Sequence, residues 1–393
     1  MNILFICHRL PFPPDRGGKI RPFYFIKHLS QTHQVTVASL AETQEEIEKG
    51  AELGNYCREV IVEKIAVPVR WGKALLGMLT PRPSSLRYFH SAKLIKEIGA
   101  RGHRLPFDLT LVHCAFVAQY ASALNSTPLI MDFGDLDSGK LFEYQRYRSF
   151  PLSWAYGYEA RKLRAYESHI SKQATMCTFT TPYEMEEFQS FNSETPRAVI
   201  PNGVNVNYFE YLEDSKVKPE SLVFVGRLDY FPNEQGILWF VHQVLPLVRR
   251  MIPQASLTIV GSNPGVQVRR LDELPGVLVT GHVPDVRPFL REAALAIAPL
   301  QIARGVQNKI LEAMAIGTPV VATTEAARGI HTSDRQCFLV GRDAEEFAHH
   351  VVQVLQKPQL REVLSENGRR HIHQHYTWRR SMELLDEILP DIS

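Results

Sequence analysis

Lys309 and Glu312 stand three residues apart in the run Asn308-Lys309-Ile310-Leu311-Glu312-Ala313-Met314-Ala315. Ile310, Leu311 and Met314 give the run an apolar helical face, and residues three apart share a face one turn from the helix start. An ammonium there reaches a phosphate held at the helix entrance. A carboxylate one turn deeper accepts hydrogen bonds from two hydroxyls, as a ribose offers. An apolar strand pattern ending at Ala298-Pro299-Leu300 and a loop with Arg304-Gly305 come before the run. Gly317, a helix terminator, and Pro319, which bars continuation, come after it. The alternative is an intrahelical Lys–Glu pair, worth about 0.2–0.5 kcal/mol. A glycine loop at a strand end favours the ligand reading.

Other stretches offer matching chemistry. In Phe224-Val225-Gly226-Arg227-Leu228-Asp229 a strand runs into Gly226, and Arg227 projects from its carboxyl end. An arginine there makes bidentate bonds to a diphosphate, unless Asp229 or Glu234 claims it as a surface pair. The loop Pro11–Gly18 follows the first strand. Its Gly17 and Gly18 permit close backbone approach and positive φ ahead of a helix over Lys19–Leu29, whose N-terminus suits phosphate. That loop is neither a P-loop nor a G-x-G-x-x-G fingerprint, which argues against an oxidoreductase. Pro201-Asn202-Gly203 reads as a turn after a strand end. Asp132 and Asp135 end another strand and are candidates to contact a sugar or an acceptor hydroxyl. Asp135 or Asp137 could instead cap the helix that follows.

These residues must be positioned by parallel strands. Short apolar runs alternate with amphipathic segments, the pattern of parallel sheets covered by helices. Strands are expected at Ile3–Cys7, Val35–Ser39, Val60–Val62, Leu109–His113, Leu129–Asp132 and Met176–Phe179. The pattern restarts with Leu222–Val225, Leu257–Val260, Val277–Thr280, Leu295–Ala298, Val320–Ala322 and Cys337–Val340. The expected organisation is an α/β domain over 1–200, a polar connection over 205–219, a second α/β domain over 217–375, and a C-terminal helix over 376–393 that could cross back to the first domain. In open α/β sheets ligands sit beyond the carboxyl ends of the strands, where all of these residues fall.

Composition agrees with this and excludes other classes. The chain has 393 residues, 45% hydrophobic and 22% charged, with a net charge of +2. That near-neutrality argues against general nucleic-acid binding. The five cysteines are scattered, with no metal-ligand spacing, and read as reduced thiols of a cytoplasmic protein. His371, His373 and His375 read as a solvated helix end. The first residues form a strand rather than a signal peptide, and no run is long enough to span a membrane. Residues 140–172 interleave seven Lys or Arg with eight aromatics against three acids. Such a segment either lies on an anionic membrane surface or forms a solvated helix.

In order along nearly the whole chain, these motifs resemble the family-4 retaining glycosyltransferases of GT-B architecture. Val199–Phe209 resembles that family's IPNGV stretch, Phe224–Leu228 its VGRL strand, and Leu311–Val321 its LEAMA-x-G-x-PVV block. Residues 226–233, 304–309 and 132–138 are similar to an exopolysaccharide, PEP-CTERM/exosortase-associated subgroup. The resemblance implies two Rossmann-like domains with the donor held mainly by the C-terminal one. It implies transfer from a nucleotide-diphosphate sugar, UDP- or GDP-linked, to a glycan or lipid-linked acceptor, with retention and with no metal or cofactor. Arg227, Gly305 and Lys309 would hold the diphosphate, Glu312 the ribose, and Gly17 and Gly18 would close over the phosphate. Catalytic candidates are Arg304, Asp132 and Asp135.

The chain departs from the family at three places. Arg304 stands where the first of two family glutamates is expected, Asn233 where a lysine usually follows the GR arginine, and Gly134 where a histidine is common. Arg304 and Lys309 together are expected to replace the missing lysine's charge, and Arg304 could pair with an acidic sugar. A silent GT-B scaffold that binds nucleotide or a partner is the competing reading. Location is expected to be cytoplasmic, with peripheral contact at the inner face of the cell membrane.

Overall fold

The computed structural model describes residues 1–15, 17–78, 80–124, 127–192, 194–213, 216–331 and 337–389. Arg16 of the first loop, residues 214–215 of the expected connection and the last four residues lie outside the described ones. The chain divides into two compact units, Met1–Ile200 with the residues from Met382 on, and Pro201–Ser381.

The first unit is built on seven strands: β1 (Asn2–Cys7), β2 (Gln34–Ala41), β3 (Glu59–Lys64), β4 (Leu109–His113), β5 (Leu129–Gly134), β6 (Met176–Phe179) and β7 (Arg197–Val199). They form one sheet in the order β3-β2-β1-β4-β5-β6-β7, every pairing parallel. The second unit has six: β8 (Lys218–Val225), β9 (Ser256–Val260), β10 (Val277–Gly281), β11 (Ala293–Ala298), β12 (Val320–Thr323) and β13 (Leu339–Gly341). Their order is β10-β9-β8-β11-β12-β13, again all parallel. Helices cover both faces of such sheets, so central strands are apolar throughout; all six residues of β11 are buried. Each unit has its own hydrophobic core.

Each expected strand falls on an observed one. β7, three residues long, was legible only as a strand end. In both sheets the strand order reverses direction once, between β1 and β4 and between β8 and β11. A doubly wound sheet opens its ligand crevice at that point, beyond the carboxyl ends.

The stretch read as an interdomain connection begins as part of the second unit. Val204 bridges to Thr377, and Phe209 is buried in the second core. The final helix runs Trp378–Ile388, with Leu385 fully buried. Among the described residues no helix is long and apolar enough to cross a membrane.

Candidate functional site

At the reversal point of the second sheet, β8 ends at Val225 and the backbone passes close to Lys309. A Cβ on Gly226 would sit 2.9 Å from Asn233 Nδ2 and 3.0 Å from Lys309 Nζ, so only glycine leaves this approach open. Asn233 is buried and clamps the cluster: its Nδ2 donates to the Arg227 carbonyl at 2.8 Å, and its Oδ1 accepts from Lys309 Nζ at 2.6 Å. Lys309 Nζ also lies 4.4 Å from the Phe224 ring centre. The position where the family resemblance leads one to expect a second cation therefore holds an amide that aims the first. The expectation that Arg304 and Lys309 share the missing charge gains no geometric support; the observed partner of Lys309 is Asn233.

Lys309 lies in the first turn of the helix Asn308–Ala315, which follows β11 and the glycine loop. Gly305 has φ +62°, and its carbonyl lies 1.9 Å from where a Cβ on Gly329 would be, so the loop is tightly folded against that segment. Gln307, the residue before the helix, makes no side-chain capping bond. The Asn308 Oδ1 is buried and accepts no hydrogen bond among the described residues. Lys309 and Glu312 are recessed but still reached by solvent. Burial pushes the Lys309 ammonium down to about 7, against the pull of Glu312, and pushes the Glu312 carboxyl up to about 7, against the pull of Lys309. Both groups thus change charge near neutrality, where a diphosphate or a hydroxyl pair would settle their state.

Arg227 projects from the same strand end. Its Nε and Nη2 grip Asp229 at 3.1 and 2.6 Å, the surface pair that was the alternative for this residue. The side chain remains about half exposed. The Asp229 carboxyl is lowered by the Arg227 hydrogen bonds.

At the reversal point of the first sheet, Asp132 on β5 is the hub. It is fully buried and accepts from Arg21 Nε and Nη2, from His113 Nδ1 at 2.7 Å and from Thr178 Oγ1 at 2.7 Å. Burial alone would raise its carboxyl. The Arg21 charge and the bonds from His113 and Arg21 outweigh burial and hold it below the usual carboxylate range. Both oxygens are spent, so Asp132 does not face a substrate; it orients His113, at the carboxyl end of β4. Arg21 also donates to the Ile200 carbonyl at 2.7 Å, tying the helix Gly17–Leu29 to the end of the unit.

Asp135 accepts from Thr180 Oγ1 at 2.7 Å. Neither Asp135 nor Asp137 caps the following helix, Asp137–Arg146, whose cap residue is Leu136 without a side-chain bond. Its N-terminal amides are met from afar: Glu184 accepts from Leu136 N and Glu167 from Ser138 N. Gly17 and Gly18 correct another expectation. They form the first turn of the helix rather than a loop, and Gly18 does not take a positive φ. What they provide is room, since a Cβ on Gly17 would meet nothing within 4 Å.

The structure thus brings Arg227, Gly305, Lys309 and Glu312 to the carboxyl end of the second sheet, with Arg304 beside Gly305, and Asp132, Asp135, Gly17 and Gly18 to that of the first. Sequence reasoning missed Asn233 as a clamp, Arg21 and His113. For His113 a signal existed, a polar residue ending the apolar strand Leu109–His113 ahead of Cys114. Among the described residues no three His, Cys, Asp or Glu side chains gather as a metal site would require.

Residues 219–357 match the family described as Glycosyl transferases group 1. A Klebsiella pneumoniae protein described as an uncharacterized 44.6 kDa protein in cps region is 21% identical over 89% of this chain and 90% of its own length. Among solved structures, sucrose-phosphate synthase from Thermosynechococcus elongatus superposes with a TM-score of 0.73 at 18% identity, over 100% of this chain and 98% of its own. HepE of Anabaena, solved with UDP, superposes with a TM-score of 0.71 at 15% identity over the whole of both chains. These likenesses identify the architecture as GT-B, two Rossmann-like units with parallel sheets.

Proposed function

Starting from a chain whose residues 219–357 match the glycosyl transferases group 1 family, we propose that it is a glycosyltransferase that takes its sugar from a UDP-linked donor held by the second unit. The observation that carries the reading is the cluster at the β8–β11 reversal: Lys309 aimed by Asn233, over a glycine that leaves room for a ligand. Arg227 and Lys309 hold the diphosphate, the open amides of the Asn308 helix and the Gly305 loop approach it, and Glu312 takes the ribose hydroxyls. The choice of UDP over GDP draws support from HepE, which was solved with UDP.

The transfer is proposed to proceed with retention and without a metal, through front-side displacement assisted by the leaving phosphate. The protein's part is then positioning and charge stabilisation. His113, oriented by Asp132, and Asp135 are the first unit's candidates to meet the sugar or acceptor. Gly17 and Gly18 leave room on that surface. Arg304 stands beside the loop that would face the sugar, where a cation suits an acidic sugar. The acceptor is proposed to be a glycan or lipid-linked glycan. An exopolysaccharide role draws support from the Klebsiella relative's place in a cps region.

Thermal shift of the full chain with UDP, GDP, UDP-glucose and UDP-glucuronate tests this. UDP should protect, by about 2.7 kcal/mol at a hundred-fold excess over Kd. Lys309→Ala should weaken binding roughly ten- to a hundred-fold. Arg304→Ala should shift preference from UDP-glucuronate towards UDP-glucose. Protection by neither UDP nor GDP would sink the donor assignment. UDP binding with neither sugar transfer nor donor hydrolysis would point to a silent scaffold instead.

A further inference from the structure

The helix Val67–Met78 in the first unit is turned inside out. Its buried positions are Arg70, Ala74 and Gly77, while Trp71, Leu75 and Leu76 face solvent, Leu76 with two-thirds of its surface exposed. A helix on a soluble surface presents the opposite pattern, with its apolar stripe towards the core. Arg70 is accounted for inside, donating to the Ile65 and Ala41 carbonyls at 3.0 Å. The apolar outer face has no such internal explanation.

A second apolar point lies on the same unit. Between the helices Asp137–Arg146 and Leu152–Ser171, Phe150 is 81% exposed, and Leu152 and Trp154 follow it into solvent. The two are joined. Trp154 stacks on Tyr158 with ring centres 5.5 Å apart, Lys162 lies over Tyr158, and Lys162 Nζ donates to the Thr80 carbonyl just past the first helix. Glu159, on the same helix, accepts from Ser85 N and Oγ.

The exposed charge nearest this surface is basic, and the neighbouring acids are held in ion pairs, Glu42 with Arg70 and Glu63 with Lys93. Between Ile65 and Lys96 there are six Lys or Arg and no Asp or Glu. Arg82 and Arg87 are exposed, and Arg87 lies against Gly77 of the inverted helix. The three acids within 140–172 are drawn inward. Glu167 is fully buried, Glu159 is spent on Ser85 and Lys162, and Glu143 has a carboxyl oxygen buried. Lys162 and Arg164 are withdrawn with them, into pairs with Glu159 and Glu187, and Arg146, Arg161 and Lys172 stay exposed as the outward charge of that segment.

We propose that this surface, the outer face of Val67–Met78 together with the Phe150–Trp154 tip, seats the protein on an anionic lipid bilayer. Tryptophans at the rim, aliphatic side chains that enter the acyl boundary and exposed arginines around them are what an anionic interface takes up. A protein partner would have to match a bare apolar helix face rimmed by the exposed Arg82 and Arg87. The assignment rests on the first unit alone and stands apart from the donor reading.

The test is partition of the full chain onto vesicles of phosphatidylglycerol and phosphatidylcholine, compared with phosphatidylcholine alone. Trp71 and Trp154 are two of four tryptophans, and Trp378 is buried, so binding should shift the emission to the blue and be quenched by brominated lipid. Trp71→Phe with Trp154→Phe should remove most of that quenching. Leu76→Asp with Phe150→Asp should lower partition about tenfold or more, and Arg82→Glu with Arg87→Glu should lower it while sparing the apolar face. High salt should weaken binding to the mixed vesicles. Absence of binding at low salt overturns the proposal, as does equal binding to neutral vesicles. Concentration-dependent dimerisation that Leu76→Asp abolishes would reassign the face to a second copy.

Discussion

On the proposed donor assignment, Lys309 and Glu312 would carry opposite limbs of one pH profile. Free Lys309, lowered by burial to about 7, binds a diphosphate only as the ammonium, so its contribution fades as pH rises above about 7. Glu312, raised by burial to about 7, serves hydroxyls best as the carboxylate, so its contribution fades as pH falls below about 7. Affinity for a UDP-sugar, followed by calorimetry between about pH 6 and 9, should peak near neutrality. Lys309→Arg should flatten the alkaline limb, because arginine stays charged, and Glu312→Gln the acid limb. A profile unchanged in both variants would remove these groups from the site. Asp132 lends itself to a stability measurement. Asp132→Asn leaves Arg21 buried opposite a neutral amide and should lower unfolding free energy by about 3–5 kcal/mol in denaturant titration. At this scale the sequence showed which side chains were cations and carboxylates on one helix, but not that Asn233 aims Lys309 from 76 residues away. It could not show that Arg21, 111 residues from Asp132, would consume a carboxylate that looked free for chemistry.

Among the elements, strands were legible because a strand buried on both faces must be apolar along its length. β7 escaped because three half-buried residues, Arg197 among them, make no such run. The helix Asp137–Arg146 escaped differently. Its start looked like an aspartate cap, yet its amides are taken by Glu167 and Glu184, and no local pattern encodes a cap delivered by another helix. Glu167 has a measurable consequence. Burial raises its carboxyl to about 8 in the folded chain, above the ordinary unfolded value near 4.5. The folded state therefore holds this proton more tightly, and the stability this contributes is full below about pH 4.5 and lost as pH rises towards 8. Glu167→Gln keeps the bond to Ser138 N without the ionisation. It should raise the melting temperature at pH 8 relative to wild type, by an amount corresponding to about 1–3 kcal/mol, with little gain at pH 5. Equal effects at both pH values would refute that account. The helix Val67–Met78 shows the converse limit: apolar residues such as Trp71, Leu75 and Leu76 belong inside by type, and only the fold reveals that they face out.

In the molecule as a whole, the chain enters the second unit after Ile200 and leaves it after Ser381, so the first unit is completed by residues from the far end of the sequence. Met382, Leu385, Ile388 and Leu389 are buried, each worth about 1.5–3 kcal/mol when removed from water. His28 bonds Asp386 at 2.8 Å within that unit. Ending the chain at Ser381 should therefore lower the melting of the first unit while UDP still protects the second, two transitions that calorimetry separates. A single transition shifted as one would show that the units unfold together. The two crossings also meet. Ser381 Oγ donates to the Pro201 carbonyl at 2.7 Å, and a Cβ on Gly203 would fall 2.3 Å from Trp378 N. The second unit thus has the form of an inserted cassette whose ends lie one hydrogen bond apart. Such a module can be exchanged by recombination at two neighbouring joints, which on the proposed reading would bring a new donor preference to an unaltered remainder.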